Sequence, residues 1–208
     1  MKAPTALLLC VSLCLSGCSI AVEVRDGNFS FSFESGFDNW AVRILDEGPG
    51  GSIGSTVLIS TQEARDGASS LRFELDSRSG DGKLWIERNF RFDDNRRRRV
   101  TVTFSFASAD LGTVGNFRML AGARRQRPET RGDLMPLAQE DTGNGANTLV
   151  GYRWMEKSYT TTIDPFPTGG GSGSQVQSEL WVVVGIWGAV NARRSYFVDN
   201  VRVMIEGV

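Results

Sequence analysis

The sequence predicts an all-β protein, two layers of antiparallel strands stacked as a β-sandwich. Three observations predict it. Apolar residues recur with period two along several stretches, glycine-containing segments separate those stretches, and no run carries the 3.6-residue period of a helix of ordinary length. Period two suits a half-buried antiparallel strand, because successive side chains leave the pleat on opposite faces.

The strands follow in chain order. Phe29, Phe31 and Phe33 alternate with Ser30 and Ser32. Leu71, Phe73 and Leu75 alternate with Arg72, Glu74 and Asp76. Leu84, Ile86, Phe90 and Phe92 alternate with Trp85, Glu87, Asn89 and Arg91. Val100, Val102, Phe104 and Phe106 alternate with Thr101, Thr103 and Ser105. Residues 180–187 are apolar on both faces, as a central strand requires. Phe197 to Ile205 closes the chain with Val201, Val203 and Ile205 in register. Three stretches interrupt the pattern: a Gly-rich loop at 46–55, a long charged excursion at 122–148 and a flexible loop at 165–175. None has phosphate-loop spacing with a following lysine, so nucleotide binding has no support.

The first residues carry a different signal. Met1-Lys2 precedes an uncharged stretch, Ala3 to Leu15, too short to span a bilayer, which takes about 20 residues. The stretch ends in Leu15-Ser16-Gly17-Cys18. This resembles the bacterial lipoprotein signal, an aliphatic residue, two small residues and a cysteine. The resemblance implies cleavage before Cys18 and acylation of its thiol, hence attachment to the membrane and a place in the cell envelope. Where the source has two membranes, Ser19 after Cys18 implies the outer one. Two or three acyl chains suffice for anchoring, since each buried methylene contributes roughly 0.8 kcal/mol. The expected organisation is a signal peptide at 1–17, a lipidated N-terminus and tether at 18–27, and a β-sandwich at 28–208. Without residues 1–17 the chain has 208 − 17 = 191 residues, the size of one domain. All three cysteines (Cys10, Cys14, Cys18) precede the domain, so its stability must come from its core and not from disulfides.

Composition narrows the chemistry. With no histidine, Ser-His-Asp and Cys-His hydrolysis and His-ligated zinc are excluded. A net charge of −1 gives no overall field that favours nucleic acid, and none is expected as a partner. The concentrated basic run Arg96-Arg97-Arg98-Arg99 reads as a solvated turn between two strands. Arg131-Gly132-Asp133 matches an adhesion tripeptide, but a three-residue match in a loop carries no function.

Four segments align with a known pattern: Phe33-Glu34-Ser35-Gly36-Phe37-Asp38-Asn39-Trp40, Ala64-Arg65-Asp66-Gly67-Ala68-Ser69-Ser70-Leu71-Arg72-Phe73, Trp181 to Trp187, and Tyr196-Phe197-Val198-Asp199-Asn200-Val201-Arg202-Val203. In that order they resemble the jelly-roll carbohydrate-binding modules of the galactose-binding-domain-like group. The resemblance implies a jelly roll, a glycan ligand and a structural Ca²⁺ held by Glu34, Asp66, Ser69 and Asp199. Asp199 shares the parity of Phe197, Val201 and Val203, which points it toward the core. A buried carboxylate needs a partner, which is a cation, an arginine or backbone amides.

The candidate sugar-binding residues are Trp85, Glu87, Tyr152, Trp154 and Trp187. They are aromatics or acids read as facing outward, with Gly185 opening room beside Trp187, while Trp40 is assigned to the core. The expected function is a non-catalytic, lipid-anchored envelope protein that binds a glycan or polysaccharide. The alternatives are an assembly lipoprotein that holds another envelope protein, and a carboxylate-dependent polysaccharide-degrading enzyme using acids such as Glu74, Asp76, Glu87 and Glu156.

Overall fold

The computed structural model describes residues 25–46, 54–76, 81–112, 115–148, 151–165, 178–188 and 193–208. The segment expected to be a signal peptide (residues 1–17), Cys18 and most of the 46–55 and 165–175 loops lie outside the described residues. Among the described residues, eleven strands and one short helix run in the order β1 (Gly27–Phe31), β2 (Ala41–Asp46), β3 (Thr56–Ser60), β4 (Ser70–Asp76), β5 (Gly82–Phe92), β6 (Arg98–Ser108), β7 (Phe117–Arg124), α1 (Arg131–Leu134), β8 (Ala138–Asp141), β9 (Arg153–Ile163), β10 (Ser178–Gly188) and β11 (Arg193–Gly207). They form two antiparallel sheets, β3-β4-β11-β6-β9 with β1 also on β11, and β2-β5-β10-β7-β8.

The pairing is nested. β7 pairs with β8, β6 with β9, β5 with β10 and β4 with β11. A long hairpin folded over on itself produces that nesting, and the result is the expected jelly roll. The apolar members of each alternating stretch meet between the sheets: Leu71, Phe73 and Leu75 from β4, Leu84, Ile86 and Phe90 from β5, Val100, Val102, Phe104 and Phe106 from β6. Each fully buried side chain of this size contributes about 1.5–3 kcal/mol. Trp40 is in this core, its ring edge-on to Phe31 at 5.4 Å.

Two expectations change. The 122–148 excursion is not structureless: it contains the end of β7, α1 and β8, and Leu134 and Leu137 from it cover the outer face of the five-stranded sheet. Arg131-Gly132-Asp133 forms the first turn of α1, with Asp133 and Thr130 making a reciprocal capping box. In the arginine run, Arg96, Arg97 and Arg99 are exposed, but Arg98 is buried. Its guanidinium lies 3.7 Å from the Phe92 ring centroid and pairs with Asp26 at 3.1 Å and with Asp94. A buried guanidinium is tolerable only with such partners.

Candidate functional site

Strand β11 decides what the outer face of the six-stranded sheet displays. Its register against β6 shifts between Asp199 and Arg202, where Asn200 takes a left-handed φ of 50°. Tyr196 and Val198 before the bulge, and Val201, Val203 and Ile205 after it, all face the core. The extra residue therefore turns Phe197 and Asp199 outward, which corrects the core-side parity expected for both.

Phe197 stands in a transverse row of directly opposed residues: Leu58 on β3, Arg72 on β4, Phe197, Ala107 on β6 and Trp154 on β9. Directly opposed residues of antiparallel strands share a face. Tyr152, just before β9, meets Phe197 edge-on at 4.7 Å and 87°. Phe197 and Ala107 are themselves fully buried within this row. Tyr152 and Trp154 are both partly exposed. Charged pairs flank this shelf: Arg72 with Glu74 at 2.7 Å, and Arg202 with Glu156 at 3.5 Å, the latter pair largely exposed. An aromatic floor bordered by planar polar groups offers an apolar face to a ring and donors and acceptors to hydroxyls. Sequence parity does not bring Arg72, Ala107 and Phe197 beside Tyr152 and Trp154; strand pairing and the bulge do.

Glu34, Asp66, Ser69 and Asp199 converge on the 65–69 loop. Asp199 has no solvent exposure. It accepts N–H groups of Arg65 at 2.9 Å, Asp66 at 3.2 Å and Asn200 at 2.7 Å. Glu34 accepts those of Ala68 and Ser69 at 3.0–3.1 Å. Burial pushes the Asp199 carboxyl above its usual range and Glu34 adds to the rise, while the three amides work against it. Phe33, wholly buried with φ 57°, turns the chain at this point, and the Asp38 carboxylate caps the N–H of Ser32 and Phe33. Gly67 has φ 68°, and a Cβ there would come within 2.4 Å of Glu34 Oε1. The donor set does not fit Ca²⁺. Amide N–H groups, rather than carbonyl oxygens, point at both carboxylates. The Asp66 carboxylate turns back to the N–H of Gly67. Among the described residues no three acidic side chains gather as cation ligands.

The outer face of the five-stranded sheet overturns two further expectations. Trp85 is 1% exposed, packed with Leu120, Leu134, Leu137, Val183 and Trp187. Its indole N–H donates to Glu87 Oε2 at 3.1 Å, and Glu87 is buried against Arg127 at 2.5 Å and Arg43 at 3.9 Å. Neither presents itself to a solvent-borne sugar. The room above Gly185 is filled by Trp85, whose Cβ would lie 2.4 Å from an added Cβ. Trp187, 8% exposed, is the floor of a cleft of about 200 Å³. Its N–H donates to Asp81 at 2.8 Å. The acids considered for catalysis are divided, with Glu74, Asp76 and Glu156 on strands of one sheet and Glu87 on the other. Asp76 is buried and paired with Arg193 at 3.1 Å.

No family model matches the chain, and no curated protein matches it. Among solved structures it is similar to a carbohydrate-binding module of the β-sandwich superfamily, at 14% identity and a TM-score of 0.48, covering 82% of this chain and 59% of that one. It is also similar to a xylan-binding domain of Paenibacillus barcinonensis (14% identity, TM-score 0.42, covering 90% of this chain and 99% of that one). A carbohydrate-binding module of Caldicellulosiruptor saccharolyticus, solved with mannohexaose, matches at 14% identity and a TM-score of 0.46, covering 85% and 97%.

Proposed function

We propose that the β-sandwich binds a polysaccharide on the Tyr152–Trp154 shelf, and that the chain is held in the cell envelope by lipid on Cys18. The observation that carries the binding reading is the partly exposed pair Tyr152, which meets Phe197 edge-on, and Trp154, bordered by Arg72–Glu74 and Glu156–Arg202. The anchor reading rests on Leu15-Ser16-Gly17-Cys18. In this reading the sandwich binds its ligand without catalysis.

The test is affinity electrophoresis of the full chain, purified in detergent, through gels that contain xylan, mannan, β-glucan or galactan. Retardation by at least one polymer is expected. Trp154→Ala and Tyr152→Ala should each weaken it about tenfold or more, roughly 1.4 kcal/mol. Retardation unaffected by both substitutions, or none in any gel, overturns the shelf. Metabolic labelling with a palmitate analogue, lost in Cys18→Ala, tests the anchor.

One observation favours a second reading, an assembly lipoprotein that holds another envelope protein. Ile44 on edge strand β2 and Leu58 and Ile59 on edge strand β3 are 37–47% exposed. Unpaired apolar edges are templates for docking. A stoichiometric envelope partner, lost in Leu58→Lys and retained in Trp154→Ala, would favour that reading.

A further inference from the structure

On the face of the molecule opposite the shelf, the five-stranded sheet carries the cleft over Trp187. Its walls are Arg118 from β7, Arg131 from α1, Met135 after it and Gln139 from β8, with Asn116 at the rim. None of the described residues that line it is acidic. The indole has a cation on either account: Lys83 Nζ and the Arg131 guanidinium each lie 5.0 Å from its ring centroid. Contact with an aromatic ring stabilises a guanidinium while leaving its in-plane N–H donors directed elsewhere.

The arginines are held rather than loose. Arg118 donates to Gln139 Oε1 at 3.3 Å, and Gln139 in turn donates to the carbonyl of Met135 at 3.3 Å. Arg131 faces Asp81 at 3.7 Å, a carboxylate that also takes Lys83 at 3.0 Å and the Trp187 N–H at 2.8 Å. Asp141, opposite Arg118 in the ladder, spends its carboxylate on the N–H groups of Gly115 and Gly143. Among the described residues that line the cleft, the charged ones are Arg118 and Arg131, both cations. Two oriented guanidinium forks above an apolar floor of Trp187 and Met135 match a ring that carries a planar or tetrahedral anion.

We infer that this cleft is a second binding site and that it takes an anionic saccharide, one bearing carboxylate or sulfate groups. The inference rests on the glycan-binding reading for the class of polymer, and on its own geometry for the charge. Arg118 and Arg131 grip the anion, and Trp187 and Met135 support the ring.

Electrophoresis of the full chain through gels containing polygalacturonate, dextran sulfate or neutral dextran tests it. The first two arms separate carboxylate from sulfate as the recognised group. Retardation by one or both polyanions is expected, weakening as salt rises from about 50 to 300 mM because the contacts are ionic, and none by dextran. Arg118→Gln and Arg131→Gln should each weaken it about tenfold. Arg99→Gln, an equal loss of charge on an exposed position of the other sheet, should leave it within about twofold. Arg118 is itself exposed, so its substitution leaves the fold intact even where Arg131→Gln does not. No retardation by either polyanion overturns the inference, as does equal retardation by dextran or an equal loss in Arg99→Gln. Trp154→Ala separates the two sites, since it should weaken neutral-glycan binding about tenfold or more and leave polyanion retardation within about twofold.

Discussion

Asp133 shows how far a single residue departs from its motif. Read as the third letter of an adhesion tripeptide, it is the N3 residue of α1. Its carboxylate accepts the N–H groups of Glu129 and Thr130 at 3.0–3.1 Å and pairs with Arg124 at 2.9 Å. Burial alone would raise its carboxyl; the two amides, the Thr130 hydroxyl and Arg124 more than offset that and hold it below the usual range. A depressed native value means that ionised Asp133 stabilises the fold at any pH above the unfolded value of 3.8, and that the contribution fades as pH falls through the native value. Asp133→Asn should therefore cost about 1 kcal/mol at pH 7, the worth of a good cap. The gap in melting temperature should close as pH drops below 3.8. A gap independent of pH would show that the charge contributes nothing. The sequence carries this chemistry as Thr130-Arg131-Gly132-Asp133, a capping spacing ahead of Leu134, inside a charged stretch that otherwise reads as loop.

Strands were legible where one face was apolar and the other polar. β4, β5, β6 and β11 met that condition, and the core parity of β4 through β6 follows directly from it. β10 carried a further signal. Apolar residues on both its faces fit its central position, but Val183 and Trp187 also required a cover for the outer face. Leu134 and Leu137 supply that cover, which is why Trp85, polar in its sequence neighbourhood, is enclosed. Alternation reports which side a residue takes, not whether a third layer lies over that side. Within this layer, Gly185→Ala tests the packing. The added methyl would meet the Leu84 carbonyl at 2.6 Å and Trp85 Cα at 2.9 Å, backbone atoms that cannot swing aside. A loss of about 1–3 kcal/mol is expected from overpacking, read by denaturant titration. An unchanged midpoint would mean that the β5–β10 ladder is looser than its register implies.

At the scale of the whole molecule, the nested pairing β4–β11, β5–β10, β6–β9 and β7–β8 requires contacts between distant parts of the chain, and no local pattern reveals them. The four short segments that resemble a jelly roll did reveal the class, because they sit where the wrap begins and ends. They revealed less about the site: the bulge at Asn200 reverses the face of Phe197 and Asp199, and single-residue insertions of this kind leave no periodic trace. The same bulge sets Asp199 against the 65–69 loop that Glu34 also holds, which ties the first and last described strands to one loop. Five amide donors already satisfy these two carboxylates. A cation would have to displace some of them, whereas hydrogen bonds to a charged acceptor each contribute roughly 1.5–3 kcal/mol without it. The melting temperature of the full chain should accordingly be the same, within about a degree, in EDTA and in millimolar CaCl₂. Glu34→Gln, which keeps the shape and removes the charge, should lower stability by about 1–2 kcal/mol in both media. A melting temperature that climbs with calcium concentration, as linkage demands of any ligand bound only by the native state, would instead place a metal between Glu34 and Asp199 and require the 65–69 loop to turn its carbonyls inward.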